Sequence, residues 1–327
     1  MTAHRDLKDI IRGRMAKTGE SYTAARLHVM RARAEHLGIA PAPAATADIV
    51  EAIVVKVNQQ SARVRIPGEV AEVTFRGSGV YRLAPGQIAT LTMKRRWSHR
   101  GYAYASGAVQ DARIDIAKLG LAPLPLEDCG LEDFSGYEPH GSPDPYAPLW
   151  RLLTRKPRPS FEMHAIAWDA IAHATDDHDS TPVCDAAELA QAGDIGRARE
   201  MLMEVLATDL RCIDAHAHLG NLVFDRAPNE AIVHYEIGKR IGELSLGPDF
   251  TGVLPWGRLY NRPYLRCLHG YGLCLWRVGR LLEAEQVFER ILSLNPNDNQ
   301  GVRECWDDVR NGRTWEDLRG ADGEMLH

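Results

Sequence analysis

The stretch LHGYGLCLWRVGRLLEAEQVFERILSLNP, residues 268–296, has a regular pattern of small, aromatic and proline residues. The pattern consists of Gly272, Gly279, Ala284, Phe288 and Pro296. Glycine and alanine let two paired helices approach closely, an aromatic side chain fills the gap between them, and proline stops the second helix. The stretch therefore predicts a pair of antiparallel helices.

Two weaker copies of this pattern precede it along the chain. The nearer copy contains Leu219, Gly220, Ala231, Tyr235 and Gly238, and its spacing is one residue short. The farther copy contains Gly193, Ala198 and Leu202, with Leu210 where the proline would stand. Together the copies predict two to four helical pairs over residues 183–310.

With these repeats the segment resembles the tetratricopeptide-repeat (TPR) proteins, in a bacterial form. Proteins of that family bind peptides or other proteins in a concave groove. The resemblance therefore implies recognition of a protein or peptide partner, without catalytic activity and without a cofactor.

The sequence departs from the repeat pattern at residues 247–263, GPDFTGVLPWGRLYNRP, which form a long insertion between the second and third units. Long insertions in repeat proteins often lie on a working surface, although a tryptophan in such a loop can instead plug the groove. Polar and aromatic residues that flank the third unit, outside its packing positions, are the predicted partner-binding residues. They are Trp256, Arg262, Tyr264, Asn299 and Arg303.

Residues 47–118 have a different periodicity. Apolar and polar residues alternate over 62–66, 71–75 and 89–93, with turn residues between these runs. Alternation with a period of two indicates strands that have one buried face. Around five such strands suit a small antiparallel β-barrel of the oligonucleotide-binding (OB) or a related type.

Helical and extended segments are predicted for the rest of the chain. Residues 1–39 contain two helical stretches separated near Gly19, which form a basic hairpin that either reads DNA or packs on a neighbouring element. Residues 119–160 are rich in proline and predict an extended linker, and residues 161–320 predict the helical repeat domain. The predicted fold class is thus α+β and multidomain: a helical hairpin, a small antiparallel β-barrel and an all-α repeat.

Charge is distributed unevenly along the chain. Residues 1–120 carry 19 Lys+Arg against 10 Asp+Glu, a net charge of +9, while the remaining residues carry 20 against 34, a net charge of −14. Such asymmetry indicates that the first part meets something anionic, either nucleic acid or the acidic part of the same chain. The alternative is two solvated surfaces of different composition.

One basic and aromatic cluster, residues 94–104, reads KRRWSHRGYAY. On a β-hairpin centred near His99 it would display cations beside aromatic rings, a combination that binds phosphates and unpaired bases. Its candidate nucleic-acid-binding residues are Lys94, Arg95, Arg96, Trp97, Arg100 and Tyr102. Alternatively, the rings belong partly to the barrel core and the cations face the acidic part of the chain.

Histidines and acidic residues give little indication of a metal site. His164, His173 and His178 accompany Asp176, Asp177 and Asp179, and His216 precedes His218 by two residues. Residues two apart on a helix point about 200 degrees away from each other, so the last two histidines cannot share one ion there. Structural zinc spacing of Cys and His is absent, and we predict no metal.

Catalytic motifs are absent as well, including the nucleophile elbow, the phosphate-binding loop and the zinc-protease motif. The six cysteines lie far apart and contain no C-x-x-C pair, which indicates reduced thiols. A run of about 18 apolar residues is also missing, so we expect no membrane span and a cytoplasmic location.

Two functions follow from these patterns. The first is a non-catalytic adaptor that binds a protein or peptide through its repeats. The alternative is a nucleic-acid-binding protein that uses the basic β-hairpin of the barrel, residues 94–104, and whose repeats serve for assembly. The position of Arg95, Arg96 and Arg100 distinguishes the two: pairing with acidic repeat residues would favour the adaptor, and an open basic surface would favour nucleic acid.

Overall fold

The computed structural model describes residues 3–22, 24–26, 28–30, 48–134, 156–164 and 181–318. The chain divides into two compact units, Met1–Asp48 and Ile49–His327. In the first unit, helix α1 spans Ala3–Thr18 and ends at Gly19, whose φ of 69° is the left-handed conformation common at helix ends. Residues 24–26 and 28–30 are also helical, as the predicted hairpin requires, and Ile11 and Ala25 are buried.

Five strands form a closed barrel at the start of the second unit. They are β1 (Asp48–Val57), β2 (Ser61–Arg65), β3 (Val73–Ser78), β4 (Ile88–His99) and β5 (Tyr102–Arg113). The order around the barrel is β1-β2-β3-β5-β4, and its interior contains Val64, Phe75 and Leu91. A small barrel was predicted here, and the structure contains one.

One strand pair of the barrel differs from the prediction that all pairs are antiparallel. Strands β3 and β5 are parallel, whereas β1 and β2, β2 and β3, and β4 and β5 are antiparallel. A parallel pair needs a crossover connection, and here the connection contains a 3-10 helix, Val80–Arg82, and the whole of β4. Alternation within single strands carries no information on this pairing.

The segment predicted as an extended linker contains regular structure. Helix α2 spans Ile116–Leu119, at the boundary between the predicted barrel and the predicted linker. Strand β6 (Leu126–Glu132) lies within the predicted linker and pairs with β7 (Arg158–Met163), which begins at its end, in a two-stranded antiparallel sheet. The expected helix therefore does not begin at Phe161, which lies in β7. Strand β7 also pairs with the inserted segment, because Ser160 forms a parallel bridge to Val253.

Seven helices follow in the described part of the C-terminal region. They are α3 (Pro182–Gln191), α4 (Ile195–Thr208), α5 (Ile213–Val223), α6 (Pro228–Leu246), α7 (Arg262–Arg277), α8 (Leu281–Leu294) and α9 (Val302–Arg310). Each helix packs on the next one, and α5 also contacts both α3 and α7. Any two successive helices from α3 to α9 are thus a packed pair.

Glycines permit the close contacts within and between these pairs. A Cβ atom on Gly272 would lie 2.5 Å from the ring of Phe288, and one on Gly220 would lie 2.6 Å from the ring of Tyr235. Both rings are buried. The physical role assigned to the glycines and aromatic residues of the repeat pattern, close helix approach around a ring, is therefore observed.

The barrel packs directly on the helices. One hydrophobic cluster combines Val54 and Leu91 of the barrel with Leu202 and Leu206 of α4. The buried Lys56 of β1 also forms an ion pair with Glu204 of α4. Barrel and helices accordingly share a core, a contact that the sequence left open.

No described helix is long and apolar enough to cross a membrane. The six cysteines are free thiols, of which Cys212, Cys267 and Cys274 are buried. Burial raises the pKa of Cys212 and Cys274 to about 12, and the thiol form is favoured at both positions.

Candidate functional site

Strand register brings basic and aromatic side chains together on the outside of the barrel. Arg76 of β3 and Arg95 of β4 both pair with Ser106 of β5, one from each side. In the next row, Thr74 and Trp97 flank Tyr104 in the same way. Because alternate residues of a strand point to the same face, the two rows share one surface.

Strand β2 and the β4–β5 hairpin extend this surface, which we call the barrel face. Arg63 lies opposite Thr74, and His99 lies opposite Tyr102, whose side chain is 69% exposed. The hairpin closes through Arg100 and Gly101, with φ values of 50° and 81°. Positive φ at both positions is the geometry of a tight two-residue hairpin turn, which directs Arg100 into solvent.

Four side chains on the barrel face form a layered arrangement, which we call the ladder. The rings of Trp97 and Tyr104 are stacked, with 5.5 Å between their centroids and 11° between their planes. The guanidinium of Arg95 lies 5.7 Å from the centroid of the Trp97 ring, and that of Arg76 lies 5.7 Å from the centroid of the Tyr104 ring. Each arginine is thus held against an aromatic ring by a cation–π interaction.

Carboxylates neutralise some of the cations on this part of the barrel. Arg96 donates two hydrogen bonds to Glu69, at 2.6 and 2.9 Å. Arg63 and Arg65 both pair with Glu72, with N–O distances of 3.7 and 3.1 Å. These three cations are therefore less available to a ligand than their exposure indicates.

Other cations are open. Among the described residues, no carboxylate forms an ion pair with Arg76, Lys94, Arg95 or Arg100, and all four side chains are exposed. The barrel face therefore carries a positive charge that is not balanced locally. By the criterion stated from the sequence, Arg95 and Arg100 are part of an open basic surface, whereas Arg96 pairs within the barrel.

Sequence reasoning missed Arg76 as a member of this site. Arg76 belongs to β3, about 20 residues before the basic cluster, and only the parallel β3–β5 pairing brings it beside Tyr104. A lone arginine in an alternating strand is an ordinary solvated residue. Because the topology was not predicted, the sequence contained no signal that would assign it to the site.

The partner-binding residues predicted near the third repeat unit do not form one exposed surface. Tyr264 is fully buried, so its side chain is not on the protein surface in this structure. Arg262 donates to the carbonyl of Trp256 at 2.9 Å and lies 5.3 Å from its ring centroid. Arg303 binds the carbonyl of Pro296 at 3.1 Å, and Asn299 is exposed.

The inserted segment is held by the fold. Trp256 is partly buried against the helical core, and its backbone amide donates to Asn295. Arg158 of β7 donates to the carbonyl oxygens of Thr251, Gly252 and Ser293, at distances from 2.6 to 3.1 Å. The insertion therefore joins β7 to the end of α8.

A second concave region lies between α5, α7 and the start of α9, and we call it the helical groove. Its cavity of about 330 Å³ is bordered by Asn221, Arg266, His269, Leu273 and Gln300, among others. Nε2 of His269 and Oε1 of Gln300 are buried, and neither atom has a hydrogen-bond partner among the residues that the structure describes. Burial lowers the pKa of His269 to about 4, and the ring is neutral at pH 7.

Histidines weighed as metal ligands have other contacts. Nε2 of His216 lies 3.1 Å from the carbonyl oxygen of Leu210, and Nε2 of His164 lies 2.7 Å from Glu127. Within the described ranges, no group of three or more His, Cys, Asp or Glu residues could hold a metal ion. The other proposed ligands, His173, His178, Asp176, Asp177 and Asp179, lie outside the described residues.

Comparison with known proteins gives no match to the chain, either among protein-family models or among curated proteins. The assignment of a function therefore depends on the geometry of the barrel face and the helical groove.

Proposed function

We propose that this protein binds single-stranded nucleic acid on the barrel face. The observation that carries the proposal is the open cationic surface formed by Arg76, Arg95 and Arg100 beside aromatic rings. Nucleic-acid binding takes most of its affinity from lysine and arginine contacts to phosphates, and single strands add contacts to aromatic rings.

Topology supports the same function. The closed order β1-β2-β3-β5-β4 suits a five-stranded OB-type barrel, a fold in which the β2–β3 face and the β4–β5 loop bind oligonucleotides. In this chain the open cations lie on β3, on β4 and in the β4–β5 turn. Since one fold hosts many functions, the fold alone would not carry the proposal.

Binding of labelled single-stranded RNA and DNA by the full chain, measured across a salt series, tests the proposal. The expected result is binding whose logarithmic affinity falls linearly with the logarithm of salt concentration, and which is lost when Arg76, Arg95 and Arg100 are all changed to glutamine. A matched triple variant, in which the exposed Arg197, Arg240 and Arg280 of the helical region are changed to glutamine, controls for net charge. Absence of binding at low salt would overturn the proposal.

A second candidate function rests on the helical groove. We propose that α3 to α9 are a TPR-type array whose groove binds an extended peptide, as in an adaptor. Support comes from the packing of each helix on the next and from the glycine–ring contacts at Gly272 and Gly220. It also comes from the polar atoms of His269 and Gln300 at the cavity, which have no hydrogen-bond partner among the described residues. Buried polar groups without a partner are costly, and a peptide backbone would satisfy them.

A displayed peptide library selected on the immobilised protein tests this second function. Peptides that bind the groove should lose affinity for Leu273→Asp, because Leu273 borders the cavity. They should keep their affinity for Leu282→Asp, which makes the same substitution at a residue outside the groove that is 76% exposed. Peptides that respond equally to both variants, or no selected peptides, would contradict the groove function.

A further inference from the structure

In the ladder each aromatic ring already has two neighbours, the other ring and a guanidinium. Trp97 and Tyr104 face each other with 5.5 Å between their centroids, so a guanidinium does not fit between the two rings. The guanidiniums of Arg95 and Arg76 therefore lie outside the ring pair, each 5.7 Å from the centroid of its ring. Strand order agrees with this placement for Tyr104, since Trp97 approaches it from β4 and Arg76 from β3 on the opposite side.

We propose that the ladder recognises phosphates rather than bases, an inference that rests on the nucleic-acid function proposed above. In this arrangement Trp97 and Tyr104 are positioning residues that hold two guanidiniums in place, and the arginines are the groups that touch the ligand. A guanidinium stacked on a ring keeps its N–H groups at its edge, where they can form the paired contacts that phosphate oxygens accept.

The distance between Arg76 and Arg95 favours a nucleic-acid strand as the ligand over a single phosphate group. Arg76 and Arg95 belong to β3 and β4, which flank β5, and neighbouring strands lie about 5 Å apart. Their backbones are thus about 10 Å apart, which suits contacts to different phosphates of one chain. The ligand would then cross the strands of the barrel face.

Tyr102 is the one tyrosine or tryptophan ring of the described barrel face that lies outside the ladder and is open to a base. Its side chain is 69% exposed, and it lies beside the β4–β5 turn, outside the ladder. Each base that stacks on an aromatic side chain contributes about 1–3 kcal/mol, which corresponds to a factor of about 5 to 150 in affinity. Dependence of binding on bases should therefore come mainly from Tyr102.

The test compares an intact oligonucleotide with an abasic strand of equal length and charge, on the wild-type chain and on Tyr102→Ala. In Tyr102→Ala the two strands should bind with affinities within about threefold of each other, and both should be weakened by adding Arg76→Gln or Arg95→Gln. If the intact strand binds Tyr102→Ala more than threefold better, bases contact the ladder and the inference fails, while the proposed function stands. If neither strand binds the wild-type chain at low salt, the proposed function fails.

Positioning by Trp97 is tested by a double-mutant cycle with the abasic strand. Trp97→Leu should weaken binding about threefold or more in the wild-type background and have almost no effect in the Arg95→Gln background, because it acts through Arg95. Trp97→Phe, which keeps a ring, should restore most of the affinity. Equal losses in both backgrounds would show that Trp97 acts on the barrel as a whole, and would overturn its positioning role.

Discussion

Arg96 donates two hydrogen bonds to Glu69, at 2.6 and 2.9 Å, while its neighbour Arg95 has its guanidinium over the ring of Trp97. The two arginines are adjacent in sequence and equal in charge, yet strand alternation directs them to opposite sides of β4. One cation is neutralised within the barrel and the other is open on the barrel face. This difference gives the nucleic-acid proposal a matched internal control.

Arg95→Gln should weaken binding of single-stranded nucleic acid about five- to tenfold, because an exposed ionic contact contributes on the order of 1 kcal/mol. It should also reduce the salt slope by about 0.7, the value for one phosphate contact to a single strand. Arg96→Gln removes the same charge from the same strand but should have a much smaller effect. Fluorescence anisotropy at several salt concentrations measures both, and equal effects would contradict the assignment.

Gly272→Ala should destabilise the second unit by about 1–3 kcal/mol, because the added Cβ would lie 2.5 Å from the buried ring of Phe288. Gly196→Ala is the matched control in α4, since the nearest atom to its added Cβ is a side-chain oxygen 4.0 Å away. That change should be neutral or stabilise by up to about 1 kcal/mol. Urea unfolding measures both, and no loss of stability for Gly272→Ala would mean that the helix pair can separate at little cost.

Acid should destabilise the protein through the buried imidazoles of His216 and His234, whose ring centroids are 6.4 Å apart. Burial lowers the pKa of His216 to about 4, and burial, His216 and Arg199 lower that of His234. Because the folded state binds fewer protons than the unfolded chain, stability is lost as pH falls from about 6.5 towards 4.

For His216 alone the expected loss between pH 7 and pH 5 is about 2 kcal/mol in the free energy of unfolding. His216→Gln removes the titrating group, so its stability should depend less on pH over this range, whatever its absolute value. Urea unfolding of both proteins at pH 7, 6 and 5 measures the slopes. Parallel curves for the two proteins would contradict this source of pH dependence.

Arg158→Met should loosen the inserted segment, because the carbonyl oxygens of Thr251, Gly252 and Ser293 would lose their shared donor. Loss of hydrogen bonds from a charged donor costs about 1.5–3 kcal/mol or more in total. Limited proteolysis should then cut within residues 247–258 faster than in the wild-type chain. Lys156→Met, at an exposed residue two positions earlier, should leave the cleavage rate unchanged.

Local patterns predicted the parts of this fold that depend on neighbours in sequence. The alternation in residues 62–66 and 89–93 indicated strands of a small barrel, and the spacing of Gly272 and Phe288 indicated a close helix pair. In both cases the signal is a periodicity that one strand or one helix pair must have in order to bury a face. The β-hairpin around Arg100 was predicted from the same kind of local signal, because turn residues separate two strand-like runs there.

Residues at sites assembled from distant segments were predicted poorly. Tyr264 was expected on a binding surface but is buried, because its ring packs where Gly242 of the preceding helix leaves space. Strand β7 was expected to be helix or linker, since its partners, β6 and the segment around Val253, are distant in sequence. A one-sequence pattern does not show which segment covers a given face.

By itself, therefore, the sequence determined the helical character of the C-terminal region, the small barrel and the β4–β5 turn, because each depends on short-range periodicity and turn chemistry. Tertiary structure alone decided that β3 lies parallel to β5, that Arg76 joins Tyr104, Trp97 and Arg95 in one ladder, and that the barrel shares a core with α4. These relationships depend on pairing and packing between segments that are far apart along the chain. The free energy of burial at such a contact comes from both segments, so the sequence of one segment does not specify the contact.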